Sequence, residues 1–259
     1  MKTFFVLASL TLFLAACGQS DEPAAVAAPE VAEVAAPEAS ETPMQSSAAS
    51  GELLVDYIWN NTADDMTEEQ MAGIIDGWNA RIDAGGYNML GANVLMPQFE
   101  TDDYDLIWVV MWPSSEAREA GWADWNANQV DDWTAELAGA MSYEPENVYT
   151  FKPTDGHDGM ADIAVGGTFH PRFDFCAFNE GQDAASLAAF RAEYDAWLVE
   201  GESNNYGYYL MEPQFDLADA DFVWLDLFGD EAALEAGTAS WTGSALEASW
   251  EAMATCENF

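Results

Sequence analysis

One stretch of this sequence occurs twice at a fixed spacing. Met96-Pro97-Gln98-Phe99-Glu100 is followed by Asp105-Leu106-Ile107-Trp108, and Glu212-Pro213-Gln214-Phe215-Asp216 by Asp221-Phe222-Val223-Trp224. The same spacing carries Glu119-Ala120-Gly121 and Trp125 onto Glu235-Ala236-Gly237 and Trp241. An offset of 116 aligns residues 71–137 with 187–253 without a gap, and seventeen of the 67 positions are identical. Composition alone gives about five identities in such a comparison, so the chain contains an internal duplication. Whatever one copy folds into, the other must resemble.

The first copy reads as strand, helix, strand, strand, helix, strand. Residues 54–59 are a β-rich run, and Thr67-Glu68-Glu69-Gln70 has the form of a capping box that opens a helix. Met71, Ile74, Ile75, Trp78 and Ile82 follow at helical spacing until Gly85-Gly86 stops them. Strands are expected at 90–99 and 105–112, a helical region from 116 to about 141 with a break near 126–128, and a last strand at 147–151. The second copy repeats the order at 172–178, 183–200, 206–215, 221–228 and 231–255, with only a short stretch left for its last strand. Pro97-Gln98-Phe99 and its twin are expected to shape the turn after the second strand.

The chain carries 47 acidic and six basic residues, a formal charge of −41. Nucleic acid and anionic headgroups are repelled by such a surface. Eleven Trp, fourteen Phe and nine Tyr supply a large aromatic core. Met1-Lys2 precedes an apolar run at 4–14 that is too short to span a bilayer as a helix. That run ends in Leu14-Ala15-Ala16-Cys17-Gly18, which resembles the lipobox of bacterial lipoproteins. The resemblance implies cleavage before Cys17, lipidation of that thiol, and an outer-membrane anchor facing the periplasm. Residues 18–50 are mostly Ala, Pro, Glu and Ser, a composition that suits a disordered tether. The expected organisation is therefore signal 1–17, tether 18–50, repeat one 51–152, acidic linker 153–168 and repeat two 169–259.

A β-α-β-β-α-β unit is the ferredoxin-like pattern of an α+β fold. Two in tandem, apolar on both strand faces, resemble the dimeric α/β-barrel superfamily. There two sheets pack face to face and helices cover the outside; here one chain would supply both halves as an intrachain pseudo-dimer. Two independent ferredoxin-like domains in a row are the rival arrangement.

The third strands separate into two faces. Ile107, Val109, Met111, Val223, Leu225 and Leu227 make an aliphatic face suited to lie under helices. The other face carries Trp108, Trp112, Trp224 and Phe228, which would then line the barrel as a ligand pocket. Asp226 stands among them where copy one has Val110. Burial would raise its pKa and make it a candidate acid or base. Asp56 and Asp174 occupy comparable places in the first strands.

Members of the superfamily that bind haem use a helical histidine, whereas His157 and His170 lie outside the expected helices. No cofactor and no metal is expected: two scattered histidines suit no zinc site, and 154–159 has clustered acids and glycines but no EF-hand spacing. Cys176 and Cys256 fall on first and last strands, which are neighbours in a ferredoxin-like sheet, so a disulfide between them is one expectation and two buried thiols the other. Three functions remain open. The first is an envelope module binding a small apolar or aromatic ligand or a protein partner. The second is an enzyme resembling the superfamily's cofactor-independent monooxygenases and isomerases. The third is a structural lipoprotein without a pocket.

Overall fold

The computed structural model describes residues 53–164, 166–200 and 205–258. The apolar start, Cys17 and the tether segment lie outside the described residues. Copy one comprises β1 (Leu54–Thr62), α1 (Glu68–Gly85), β2 (Gly91–Leu95), β3 (Leu106–Trp112), α2 (Ser115–Asn128), α3 (Val130–Leu137), a short β4 (Met141–Ser142) and β5 (Val148–His157). Copy two comprises β6 (His170–Phe178), α4 (Ala184–Glu200), β7 (Tyr206–Pro213), β8 (Phe222–Phe228), α5 (Glu231–Trp241), α6 (Ala245–Met253) and β9 (Ala254–Asn258). None of the described helices is long and apolar enough to cross a membrane.

Local signals account for the helix ends. Gln70 N–H donates to Thr67 Oγ1 at 3.2 Å, while Thr67 N–H donates to Gln70 Oε1 at 2.8 Å, so the two groups cap each other. Gly86 closes α1 at φ 63°, a left-handed conformation that glycine adopts without strain. Ser114 and Asp230, 116 apart, cap α2 and α5 through the amides of Ala117 and Ala233. The single helical region expected at 231–255 is instead two helices. Gly243, at φ 76°, turns the chain, Ser244 caps α6, and residues 254 onward belong to β9. In both copies the Gln of the Pro-Gln-Phe motif donates to the carbonyl two residues back, at 3.1 Å from Gln98 and from Gln214.

The strands run in the order β2-β3-β1-β5-β7-β8-β6-β9. Within each copy this is the ferredoxin-like order, and the duplication holds to the residue. Asp56 opposes Val110 in the β1–β3 ladder, and Arg172 opposes Asp226 in the β6–β8 ladder, both offset by 116. That register corrects the expected match of Asp56 with Asp174. Asp174 opposes Trp224, as Ile58 opposes Trp108, so it is the counterpart of Ile58, and Asp56 answers to Arg172.

The two sheets are joined by β5 and β7. Phe151, Lys152 and Pro153 pair with Pro213, Glu212 and Met211, and His157 with Tyr208. The connection expected to be linker from 153 therefore begins as strand, and its Asp155 is ion-paired with Arg191 at 3.1 Å. Val55, Tyr57, Val109 and Phe151 of copy one share one buried cluster with Met211, Val223 and Leu225 of copy two. Tyr57 meets Phe173 edge to face at 5.2 Å. A shared core rules out two independent domains, and the chain is an intrachain dimeric α/β-barrel built from two ferredoxin-like repeats.

This core reverses the expected faces. The aliphatic face of β3 and β8 lies between the sheets, and the aromatic face lies under the helices. Trp108 packs on Trp78 of α1 at 5.3 Å, and Trp224 on Phe190 of α4 at 6.3 Å. The duplicated Glu-Ala-Gly motif serves the same layer. A Cβ at Gly121 would fall 2.4 Å from the Trp112 ring, and one at Gly237 2.8 Å from the Phe228 ring, so only glycine lets these rings pass under the helix.

Candidate functional site

Under the helices the copies carry the same backbone and opposite polarity. In copy one Asp56 is fully buried and accepts from four donors. Arg118 Nε lies 2.8 Å from Oδ1, Thr150 Oγ1 2.6 Å from Oδ1, Trp122 Nε1 2.7 Å and Trp112 Nε1 2.9 Å from Oδ2. A buried carboxyl needs this many partners to offset its desolvation. The knot is closed: Trp112 and Trp122 pack on each other at 5.6 Å and fill the layer.

In copy two four of the five members of that knot are replaced. At the 116 offset Arg172 stands for Asp56, Phe228 for Trp112, Leu234 for Arg118 and Thr238 for Trp122. Three large or charged groups become smaller or apolar, and a cavity of about 660 Å³ opens between the sheet and helices α4, α5 and α6. Tyr194, Trp197, Trp224, Phe228, Trp241 and Trp250 give it aromatic walls, while Arg172, Asp174, Tyr206 and Asp226 form its polar floor.

The floor is a connected hydrogen-bond chain. Tyr194 donates to the Tyr206 hydroxyl at 2.9 Å, and Tyr206 donates to Asp226 Oδ1 at 2.5 Å. Trp224 Nε1 donates to the same oxygen at 2.8 Å, and Arg172 donates to Oδ2. Asp226 is 3 % exposed and already accepts three bonds. Copy one has Val110 in that place, and there the Trp108 indole N–H is buried without a partner. Arg172 Nε is buried, has no hydrogen bond among the described residues, and is ion-paired with Asp174 Oδ2 at 3.6 Å.

Burial lifts the Asp174 pKa from its ordinary 3.8 to about 6; the Arg172 charge opposes this and Asp226 adds to it. Burial alone would lower the Arg172 pKa, but the charges of Asp226 and Asp174 reverse that and hold it raised. Burial and the neighbouring Asp226 push Tyr206 well above the usual phenol range. Because folded Asp174 keeps its proton to a higher pH than an unfolded aspartate, protonation favours the folded chain. That contribution is whole below about pH 4 and is lost as pH rises through about 6. Asp174→Asn, which resembles the protonated side chain, should therefore be more stable than the wild type at pH 8, with the gap closing towards pH 4. Denaturant titrations at pH 4, 6 and 8 read this difference, and a gap independent of pH would show that Asp174 titrates normally.

Of the residues singled out in the sequence, Asp226, Trp224 and Phe228 come together on this cavity. Trp108 and Trp112 lie apart from it, in the filled helix-side layer of copy one. All five face the helices, not the layer between the sheets, which takes Val109, Val223 and Leu225 from the same strands. Cys176 and Cys256 oppose each other in the β6–β9 ladder and are disulfide-bonded, with Cys256 on the cavity wall. Arg172, Tyr206 and Tyr194 escaped the sequence reading. The signal was there for Arg172: it is one of six basic residues and replaces an acid at the 116 offset. The cavity does not fit haem ligation. His157 and His170 are on strands and do not line it, Cys256 is bonded to Cys176, and both tyrosine hydroxyls donate within the polar chain.

No protein-family model matches the sequence, and no curated protein matches it. Among solved structures, a Fusobacterium nucleatum protein described as a candidate monooxygenase superposes with a TM-score of 0.52 at 10 % identity, covering 81 % of this chain and 91 % of that one. A candidate chlorite dismutase gives 0.49 at 9 % identity, covering 80 % and 91 %, and an anthrone oxidase-like protein 0.48 at 15 %, covering 80 % and 88 %. The first of these, at 10 % identity, bears on the fold alone, the dimeric α/β-barrel.

Proposed function

We propose that copy two is the working half of the protein and binds a small aromatic molecule bearing a carbonyl or hydroxyl oxygen. The observation that carries this reading is the contrast between the copies: the layer that Trp122, Trp112 and Arg118 fill in one is open in the other. Aromatic walls favour a planar ligand. The Arg172 guanidinium and the Asp174 carboxyl on the cavity lining offer a donor and an acceptor to its polar end. Asp226, engaged by three donors, would hold Arg172 and Tyr206 in position.

The test is to refill the cavity as copy one does. Titrated with 2-naphthol, the wild type should bind one equivalent, and Thr238→Trp should bind at least about tenfold more weakly while melting no lower. A tenfold loss corresponds to about 1.4 kcal/mol. Undiminished binding by a folded T238W would remove the cavity as the site.

Asp174, raised to about pH 6, favours a second reading as an acid–base enzyme of the isomerase or cofactor-independent monooxygenase type. Faster exchange of the α-protons of 2-tetralone, abolished in Asp174→Asn, would distinguish turnover from binding alone; no acceleration would leave only binding. The lipobox-like Leu14-Ala15-Ala16-Cys17 supports a reading of this module as anchored at the cell envelope. The mass of the amino-terminal peptide tests that, since an unacylated Cys17 removes the anchor.

A further inference from the structure

The opposite side of the sheets holds a second cavity. Between the repeats lies a cleft of about 560 Å³, walled by Trp59, Tyr104 and Tyr149 from copy one and Phe173 and Phe215 from copy two. Trp59 sits between Tyr104 at 4.7 Å and Tyr149 at 4.8 Å, both tilted, and Tyr149 meets Phe215 edge to face at 5.3 Å. Trp59, Tyr149, Phe173 and Phe215 all keep part of their surface open to solvent.

The polar side chains on this cleft are of one sign. Asp219 and Glu257 line it, both exposed, and neither hydrogen-bonds or ion-pairs with any described residue. No Lys, Arg or His lines it. Aromatic ring faces attract cations and, with carboxylates beside them, repel anions. The cleft also lies on the other face of the sheet from the helix-side cavity. Along β9, Cys256 and Asn258 line that cavity and Glu257 lines the cleft, in keeping with strand alternation, while Thr255 borders both.

We propose that this cleft is a second binding site, for an organic cation whose apolar chain lies between the sheets and whose ammonium group meets Asp219 and Glu257. The probe is decyltrimethylammonium below its micelle concentration, titrated into the full protein at about 0.15 M salt, where charges beyond roughly 8 Å are screened. One saturable equivalent should bind, changing tryptophan emission, and 1-decanol should bind at least about fivefold more weakly, within the range of a cation–π contribution. Asp219→Asn with Glu257→Gln should weaken the cation at least about fivefold. That double variant moves the net charge only from −41 to −39, so a loss of this size reports local contact, not overall attraction. Thr238→Trp, which fills the other cavity, should leave the affinity unchanged. Equal binding of 1-decanol, indifference to the double variant, or loss in T238W would each overturn the assignment.

Discussion

Replacing Asp56 with alanine should cost on the order of 3–5 kcal/mol of unfolding free energy, the range found when one partner of a buried ion pair is removed. The carboxyl is wholly buried and is the common acceptor for Arg118, Thr150, Trp112 and Trp122. Its removal leaves a guanidinium and two indole N–H groups facing each other without an acceptor, each with its own desolvation penalty. Arg118 keeps some solvent contact, 27 % of its side chain, so it can partly recover water and the lower half of the range is expected. Chemical denaturation followed by tryptophan fluorescence measures the loss. A cost below about 1 kcal/mol would mean that the donors rehydrate freely and that the knot does not organise copy one. Asp226→Ala offers the internal comparison. It too removes an acceptor from three donors, but beside a cavity that can admit water, so its cost should be smaller.

Reducing the Cys176–Cys256 bond, or replacing both cysteines with serine, should lower stability by a similar amount. The cross-link spans 80 residues, essentially all of copy two. Chain-entropy arguments give about 4.5 kcal/mol for a loop of that size, within the 2–5 kcal/mol observed on removing native disulfides. For a folded region of roughly 200 residues this lowers Tm by on the order of 10 °C. The local consequence is specific to β9, which is five residues long and pairs only with β6 among the described strands. Without the bond its fraying should loosen the wall of both cavities, since Cys256 lines one and Glu257 the other. Calorimetry with and without reductant tests the first statement and hydrogen exchange at 254–258 the second. An unchanged Tm under full reduction would show that β9 is held by its ladder alone.

Much of this fold is readable before any coordinates. The 116 offset marks two copies, and the β1–β3 and β6–β8 ladders keep it outside the aligned window, where the sequence reading matches Asp56 with Asp174 instead. The capping box at Thr67, the glycine stop at Gly86 and the break between α2 and α3 follow from local backbone chemistry, which acts over four or five residues whatever the rest of the chain does. The helix break at Gly243 was equally local, and its Gly-Ser pair was a missed signal.

The orientation of the third strands was of another kind. Alternation in Leu106–Trp112 shows that odd and even positions face opposite ways, yet both faces are apolar, so parity does not say which layer each one meets. That choice depends on what the helices bring down onto the sheet: Ile74, Trp78 and Trp125 in copy one, Phe190, Tyr194 and Ala233 in copy two.

The sequence by itself determined two copies of one β-α-β-β-α-β unit, most of their helix ends and a strongly acidic composition, because each depends on near neighbours or on simple repetition. Only the tertiary structure decided which face of the third strands meets the helices, that Arg172 takes the place of Asp56, and that copy two is hollow where copy one is full. A cavity is volume left unfilled. Thr238, Phe228 and Arg172 border it from one helix and two strands, and no single one of them announces it along the chain.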